Sequence, residues 1–128
     1  MIARRLLLDS HALYWTLRDL PELSSCAREL IASEDTDVLV SPASFYELMF
    51  KANRGRLDPA MLHVADATRD AGFGLSSPSE RDWKVAAVLD WTHGDPFDRL
   101  LLAQAVGGSM SLVSRDTVFD EISDVRVW

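Results

Sequence analysis

Four short runs rich in Val and Leu constrain the fold of this chain more than any other feature of its sequence. They lie at residues 6–8, 38–40, 112–113 and 125–127. In the first three runs the apolar residues are consecutive, which is typical of strands that are buried on both faces of a sheet. A weaker fifth run at residues 73–75 follows Gly72, a residue type that commonly ends a helix.

The stretches between these runs carry apolar residues at helical spacing. The clearest sets are Ala27, Leu30 and Ile31; Phe45, Leu48, Met49 and Ala52; and Trp83, Ala86 and Ala87. We expect each set to face the core from one side of a helix. Residues 97–106 are apolar on several sides, so this helix should be largely buried. Strands and helices in alternation predict an α/β fold, in which helices cover both faces of a central, mainly parallel sheet of four to five strands.

Length and composition favour a single globular domain over residues 1–128. The apolar fraction of 48% suffices for one packed core. No run approaches the roughly 20 apolar residues of a membrane helix, and Asp9 comes too early for a signal-peptide core. The only cysteine, Cys26, cannot form an internal disulfide. We therefore expect a cytoplasmic protein with no membrane partner, in which Cys26 is a small buried helix residue.

The net charge of −7, taken alone, argues against a sequence-independent nucleic-acid binder, because such proteins are usually basic. The distribution of charge weakens this objection, since basic residues gather at residues 4–5 and 51–56. An acidic metal site would also add to the negative count. Four arginines are candidates for phosphate contacts, although solvated surface is the simpler interpretation of each: Arg54, Arg56, Arg99 and Arg115.

Four carboxylates stand close to the predicted strands. Asp9, Glu47 and Asp116 follow the first, second and third of the four runs. Ligands of open parallel sheets bind beyond the carboxyl ends of the strands, where strand order reverses. These three acids should therefore share one edge of the sheet. Asp98 lies in the first turn of the helix at residues 97–106, and only the fold can bring it to the others.

Each of these acids also has a purely structural interpretation. Asp9 and Asp116 suit helix N-caps, and Asp98 suits the positive end of a helix dipole. Glu47 could complete a capping box or pair with Lys51 one helical turn later. These roles do not explain four carboxylates at one edge, since like charges about 4 Å apart repel by several kcal/mol at an effective dielectric of about 20. A divalent cation removes that repulsion, and oxygen ligands without paired His or Cys favour Mg²⁺ or Mn²⁺ over zinc.

Four segments of the chain, taken in order, form a recognisable set. They are LLLDSHALYW at residues 6–15, SPASFYEL at 41–48 with Lys51 and residues 55–57, HGDPFDRLLLAQA at 93–105, and LVSRD at 112–116. This set resembles the PIN-domain family and, more narrowly, the VapC-type toxin ribonucleases of bacterial toxin–antitoxin pairs. The resemblance runs from the first predicted strand to the last. It implies a PIN-like α/β/α sandwich with endoribonuclease activity that depends on Mg²⁺, with Mn²⁺ as a substitute.

The same resemblance implies roles for individual acids. Asp9, Glu47 and Asp98 would form the catalytic and metal-binding set, with Asp116 as a fourth and more variable member. Asp95 would then be the cap of its helix, followed by a proline at the first helical position.

The chain departs from the family pattern at two places. Relatives usually carry Arg where this chain has Gly94, and commonly Trp where it has Tyr46. Loss of that arginine removes one candidate phosphate contact.

The three histidines are scattered along the chain, and no Ser or Cys nucleophile motif accompanies them. We expect His11 to orient or pack near the site, His63 to lie on a helix surface and His93 to belong to a loop. Covalent catalysis therefore has no support in the sequence.

Partners are implied by the resemblance: an RNA substrate, a VapB-like antitoxin that covers the site, and a second copy in a homodimer. Six apolar residues are candidates for an antitoxin groove or dimer face, although core packing explains them equally well: Trp15, Leu17, Leu20, Leu23, Phe45 and Phe50. The alternative function is a catalytically silent PIN-like module that binds RNA or protein. The presence of every expected acid counts against it. A receiver-type phosphoacceptor is less favoured, because no pair of adjacent acids precedes Asp9.

Overall fold

The computed structural model of the chain describes residues 3–128, and this part contains a fully parallel five-stranded sheet. The strands are β1 (Arg4–Leu8), β2 (Thr36–Val40), β3 (Gly74–Leu75), β4 (Ser111–Val113) and β5 (Arg126–Val127). Their spatial order is β3-β2-β1-β4-β5. All four predicted strands and the weaker fifth are confirmed, and so is the α/β class. The order of the strands reverses between β1 and β4, which the sequence pattern did not predict.

Helices connect the strands and cover the sheet. Within residues 3–128 the α-helices are α1 (Ser10–Leu17), α2 (Ser25–Ala32), α3 (Pro42–Asn53), α4 (Val64–Asp70), α5 (Glu80–Val88) and α6 (Pro96–Gly107). Short 3-10 helices span Pro59–His63 and Thr117–Glu121. Gly72 follows α4 with a φ of +82°, so it ends that helix as predicted, in a conformation that glycine adopts without strain.

Both faces of the sheet are buried, as the consecutive apolar runs predict. Leu6 and Leu8 of β1 point into one apolar layer, which also contains residues of α1, α3 and α4. Leu7, between them, points into the opposite layer with residues of α6 and Phe119. The three leucines of β1 are completely buried. This alternation around a central strand produces the α/β/α sandwich and leaves the strand ends as the place where polar side chains can gather.

N-terminal caps fix where the two helices that carry site residues begin. Ser41 accepts a hydrogen bond from the backbone of α3, and Pro42 occupies the first turn. Asp95 accepts hydrogen bonds from the amides of Phe97 and Asp98 at 2.9 and 3.2 Å. The prediction that Asp95 caps α6, with a proline at the first helical position, is confirmed.

Three residues that were predicted to be buried are exposed, because their helices contact the core through only one narrow face. Trp83 of α5 is 56% exposed, because α5 packs on α6 through the small side chain of Ala86. Val106 at the end of α6 is exposed although the rest of that helix is largely buried. Cys26 is exposed on the outer side of α2, where Ala27 is the residue that enters the core.

Arg99 of α6 is half-buried and organises the connection between α5 and α6. Its guanidinium donates to the carbonyl oxygens of Ala86, Leu89, Trp91 and His93, at distances of 2.6 to 3.0 Å. The candidate role of Arg99 as a surface phosphate contact is therefore wrong. The planar guanidinium thus ties four carbonyl groups of the connection between two helices to one side chain.

No helix formed by residues 3–128 is long and apolar enough to cross a membrane.

We expect Arg99→Lys to lower the free energy of unfolding by about 2–4 kcal/mol, because an ammonium group cannot reach four divergent carbonyls. Urea denaturation followed by circular dichroism measures the change. The matched control is Arg69→Lys on the surface of α4, whose one ion pair within residues 3–128 is an exposed contact of 3.5 Å to Asp66. It should change stability by less than about 0.5 kcal/mol. Equal stability of the two variants would contradict the structural role of Arg99.

Candidate active site

The carboxyl ends of the three central strands lie side by side. Leu8, the last residue of β1, pairs with Val40 of β2 and Val113 of β4. The residues that follow these three are polar: Asp9, Ser41 and Ser114. Because strand order reverses between β1 and β4, Asp9 stands at the switch point where open parallel sheets bind ligands.

Asp9 is almost buried, with 6% of its surface exposed. One carboxylate oxygen accepts the amide hydrogen of Ala12 at 2.7 Å, so the residue does cap α1. The hydroxyl of Ser114 is a second hydrogen-bonding partner. Burial raises the pKa of Asp9 to about 6, with Glu47 and Asp116 adding repulsion and the two hydrogen bonds opposing the shift. The cap role and the site role therefore coincide in one side chain.

Glu47 projects from the second turn of α3 and is held at both oxygens. Its Oε1 accepts a hydrogen bond of 2.5 Å from the hydroxyl of Ser10, and its Oε2 lies 2.8 Å from Nζ of Lys51. The predicted pair with Lys51 is confirmed, but it is half-buried rather than exposed. The capping-box alternative is wrong, because α3 begins at Pro42 and Glu47 is too far along the helix.

Asp98 lies in the first turn of α6 and is paired with His93. Their Oδ2 and Nε2 atoms are 2.7 Å apart. Burial is the main cause that raises the pKa of Asp98 to about 6, and the hydrogen bond from His93 opposes it. The same hydrogen bond raises the pKa of His93. His93 lies in a loop, as predicted, but the prediction missed its contact with Asp98. The sequence signal for this contact is a histidine five residues before an acid in the first turn of a helix.

Like Asp9, Asp116 follows the carboxyl end of a strand, here β4, and caps the helix that comes next. Its carboxylate accepts the amide hydrogen of Val118 at 3.0 Å and caps the 3-10 helix at residues 117–121. Its own amide donates to the hydroxyl of Ser114 at 3.0 Å. Asp116 is exposed, so its environment differs from that of Asp9.

One cavity of about 190 Å³ brings the four predicted acids together. It is lined by Asp9, Ser10, His11, Glu47, Lys51, His93, Asp95, Asp98 and Asp116. Asp98, which the order of the sequence alone could not place, thus joins the three acids of the strand ends. Ser10, Lys51 and His93 are partners that the sequence analysis did not assign to the site, and Ser114 is another just behind it.

The acids share this cavity, but no three Asp, Glu, His or Cys side chains among residues 3–128 converge on one point at which an ion could be held. Neighbouring side chains instead engage two of the carboxylates. Lys51 and Ser10 hold Glu47, while His93 holds Asp98. The donor set still fits a hard divalent cation, because it consists of carboxylates and its buried member, Asp9, is destabilised as an anion mainly by burial and further by repulsion from Glu47 and Asp116. A bound cation would offset that repulsion.

A second cleft of about 350 Å³ adjoins the acids on the side of α1. Its lining includes Asp9, His11, Trp15, Arg115 and Asp116. The ring of His11 stacks on Trp15 with centroids 5.5 Å apart, and the guanidinium of Arg115 lies 4.5 Å from the centroid of the same indole. The packing role expected for His11 agrees with this stack. Arg115 keeps an exposed position beside the cavity, and a phosphate role for it stays a prediction.

The apolar residues proposed for a groove divide into two groups. Trp15, Leu23 and Phe45 are core residues, and Leu17 and Leu20 pack partly against the same core. Core packing therefore explains these five. Of these six, only Phe50 is left substantially exposed, beside the more exposed Tyr46.

Comparison with known proteins agrees with this arrangement. The PIN domain family model matches residues 6–125. Ribonuclease VapC22 of Mycobacterium tuberculosis (strain ATCC 25618 / H37Rv) is 32% identical over 116 residues, which are 86% of this chain and 85% of that protein.

Solved structures with the same fold are similar over almost their whole length. The crystal structure of VapBC2 from Rickettsia felis, bound to a DNA fragment from its promoter, gives a TM-score of 0.73 at 12% identity, covering 96% of this chain and 97% of that one. A toxin–antitoxin complex from Klebsiella pneumoniae gives 0.69 at 19% identity, with 96% of each chain covered. At these identities the likeness concerns the fold, whereas the family model and the relative from M. tuberculosis concern the sequence itself. The chain therefore belongs to the PIN-domain family, in its group of VapC-type toxin ribonucleases.

Proposed function

We propose that this protein is a metal-dependent endoribonuclease and the toxin of a toxin–antitoxin pair. The observation that carries the proposal is the cavity in which Asp9, Glu47, Asp98 and Asp116 meet at the switch point of the sheet. A chain of this family with all four acids at that position has the ligands that hydrolysis of a phosphodiester requires. The relative from M. tuberculosis carries the name ribonuclease, which supports RNA as the substrate.

The four carboxylates would hold one or two Mg²⁺ or Mn²⁺ ions. Such an ion supplies an activated water and stabilises the charge that develops on the scissile phosphate. Ser10 and Lys51 orient the carboxylate of Glu47 from opposite sides, and His93 orients that of Asp98. Ser114 and the amide of Ala12 orient Asp9. Each ligand is thus positioned by a neighbouring donor, as metal sites require of their supporting residues.

Cationic side chains next to the cavity offset the repulsion between acids and an RNA backbone. Lys51 lines the cavity itself, and Arg115 lines the adjoining cleft of α1. Phosphates on either side of the scissile bond would contact these two groups. Because Gly94 offers no cationic side chain of its own, we expect Lys51 and Arg115 to contribute more of the substrate binding in this chain.

A VapB-like antitoxin is the expected partner, because one of the similar structures is a toxin–antitoxin complex. We expect the antitoxin to cover the acids and restrain cleavage in the cytoplasm until it is degraded. A homodimer is a further part of the proposal. No observation favours the silent-module alternative, since all four acids are present and share one cavity.

Replacing Asp9 or Asp98 with Asn should reduce Mg²⁺-dependent RNA cleavage by at least about a hundredfold, because each change removes a ligand charge while keeping its shape. Gel analysis of a mixed RNA pool incubated with purified protein measures the loss, and EDTA should abolish wild-type cleavage. The matched control is Asp37→Asn, an exposed acid near the opposite end of β2, which should retain wild-type activity. Strong cleavage by a folded Asp9→Asn, Asp98→Asn double variant would falsify the proposal.

The raised pKa of Asp9 makes a second prediction, on the stability of the metal-free protein. Its folded-state pKa of about 6 lies above the ordinary 3.8, so the folded state binds the proton more tightly. The stability that this provides is complete below pH 3.8 and is lost as the pH rises through about 6. In EDTA at pH 7.5, Asp9→Asn should therefore be more stable than wild type by about 2–3 kcal/mol.

The difference between the two proteins should shrink towards pH 4, where Asp9 is largely protonated in the folded state, whose pKa is about 6, and close to half protonated in the unfolded state, whose pKa is the ordinary 3.8. Adding Mg²⁺ should stabilise wild type and leave Asp9→Asn almost unchanged, because the variant lacks the buried anion. Urea denaturation across this pH range measures both effects. A variant that is less stable than wild type in EDTA at pH 7.5 would show that the carboxylate is not strained by burial.

A further inference from the structure

An aromatic cleft of about 360 Å³ adjoins the acidic cavity on the side of α3. Its apolar lining consists of Pro96 and three aromatic rings, those of Tyr46 and Phe50 of α3 and Phe97 of α6. Tyr46 is 60% exposed and Phe50 is 42% exposed, so neither ring serves mainly to fill the core. The ring of Tyr46 lies between the other two, with centroid distances of 5.9 Å to Phe50 and 6.2 Å to Phe97. These rings form an open surface of π-faces instead of a packed interior.

Cations surround this aromatic cleft. Lys51 and Arg56 line it, and the guanidinium of Arg54 lies 4.2 Å from the centroid of Phe50. Neither Arg54 nor Arg56 forms an ion pair with any acid in residues 3–128. Both arginines therefore remain available to an anionic ligand next to the exposed rings. Aromatic rings together with free cations are the combination that binds single-stranded nucleic acids.

The aromatic cleft is continuous with the acidic cavity. Glu47, Lys51 and Asp95 line both of them. An extended strand with one phosphate at the acids would therefore place a neighbouring nucleotide over the aromatic cleft. Lys51 would stand between the two positions, where the connecting phosphate passes.

We propose that the aromatic cleft is a nucleotide subsite, which stacks an unpaired base of the RNA on Tyr46 and Phe50 while Arg56 contacts its phosphate. The proposal rests on the proposed function in one respect, the assignment of RNA as substrate. Stacking needs only the π-face of a base, so the subsite selects single-stranded RNA over duplex without selecting one base. The substrate class is thus an unpaired segment such as a loop.

Two other occupants, a second copy of this chain or an antitoxin segment, are less compatible with the charges. Protein interfaces are depleted of lysine in their cores, and burying Arg56, which forms no ion pair within residues 3–128, would require an acidic group on the partner. A dimer contact would also not explain why the aromatic cleft is continuous with the cavity of the proposed metal-binding acids. RNA accounts for both the rings and the cations.

The test is a binding experiment in the Asp98→Asn background with Mg²⁺, because Asp98 does not line the aromatic cleft and this variant should not cut its ligand. The probes are a fluorescent single-stranded RNA 12-mer of mixed sequence, the same backbone with abasic sites, and a duplex of equal length. Fluorescence anisotropy gives the dissociation constants. Sedimentation equilibrium at the same concentrations gives the oligomeric state.

Tyr46→Leu together with Phe50→Leu should weaken binding of the base-containing strand by about tenfold and leave the abasic strand within about twofold. Tyr46→Trp should retain wild-type affinity, since it keeps a π-face. Arg56→Gln should weaken both strands equally, because it removes only a phosphate contact. The matched control is Trp83→Leu, an equally exposed aromatic on α5 outside the aromatic cleft, which should change neither dissociation constant.

Equal affinity of the double-leucine variant and its parent for the base-containing strand would overturn the subsite, and so would a parent protein that binds none of the probes. A variant that only loses its dimer, or only loses an antitoxin, would assign the cleft to that protein partner instead. The proposed nuclease activity is tested separately in the protein with Asp98 intact. If the strand binds in a base-dependent way but no RNA is cleaved, the proposed activity is wrong and the subsite is supported. If RNA is cleaved but binding does not depend on the bases, the subsite is wrong and the proposed activity is supported.

Discussion

The buried carboxylate of Asp9 is the constraint on which the rest of the site depends. It stands at the end of the central strand, nearly inaccessible to water, and burial raises its pKa to about 6. A charge in such a place is unfavourable unless hydrogen bonds or a counterion compensate it. The amide of Ala12 and the hydroxyl of Ser114 compensate only in part, since the pKa remains raised. The position is therefore costly for folding and well suited to binding a cation.

The strand order explains why the acids gather at this point. β1 lies between β2 and β4, so the loops after β1 and β4 diverge in opposite directions and leave a space above Asp9. Caps at Ser41 and Asp95 then fix the start of α3 and α6, which aims Glu47 and Asp98 into that space. Arg99 also contributes to the orientation of Asp98. It binds the carbonyl of His93, which in turn binds Asp98, so the packing of a turn and the orientation of a site residue are linked.

The sequence could predict the features that depend on local pattern. Consecutive apolar residues identified three of the five strands, and the interrupted runs at residues 73–75 and 125–127 indicated the other two. The position of Asp9 and Asp116 after two of those strands identified the edge of the sheet. The contacts of Ser10, His93 and Arg99 could not be found in this way. Each depends on side chains that meet only after the helices have packed, and no periodicity or spacing specifies them. The exposure of Trp83 was missed for the related reason that small side chains, such as that of Ala86, make the contact between α5 and α6.

The acidic charge of the whole chain is compatible with an anionic substrate, because salt screens interactions between exposed charges that are farther apart than a Debye length. This length is about 8 Å at physiological ionic strength. Beyond that distance the acids elsewhere on the surface are largely screened. Within it, a bound RNA would meet Lys51 and Arg56 on one side of the cavity and Arg115 on the other. The carboxylates between them would repel a phosphate until a divalent cation neutralises them. Productive binding of RNA would then require the metal first, so the same acids that make catalysis feasible would also prevent binding without it.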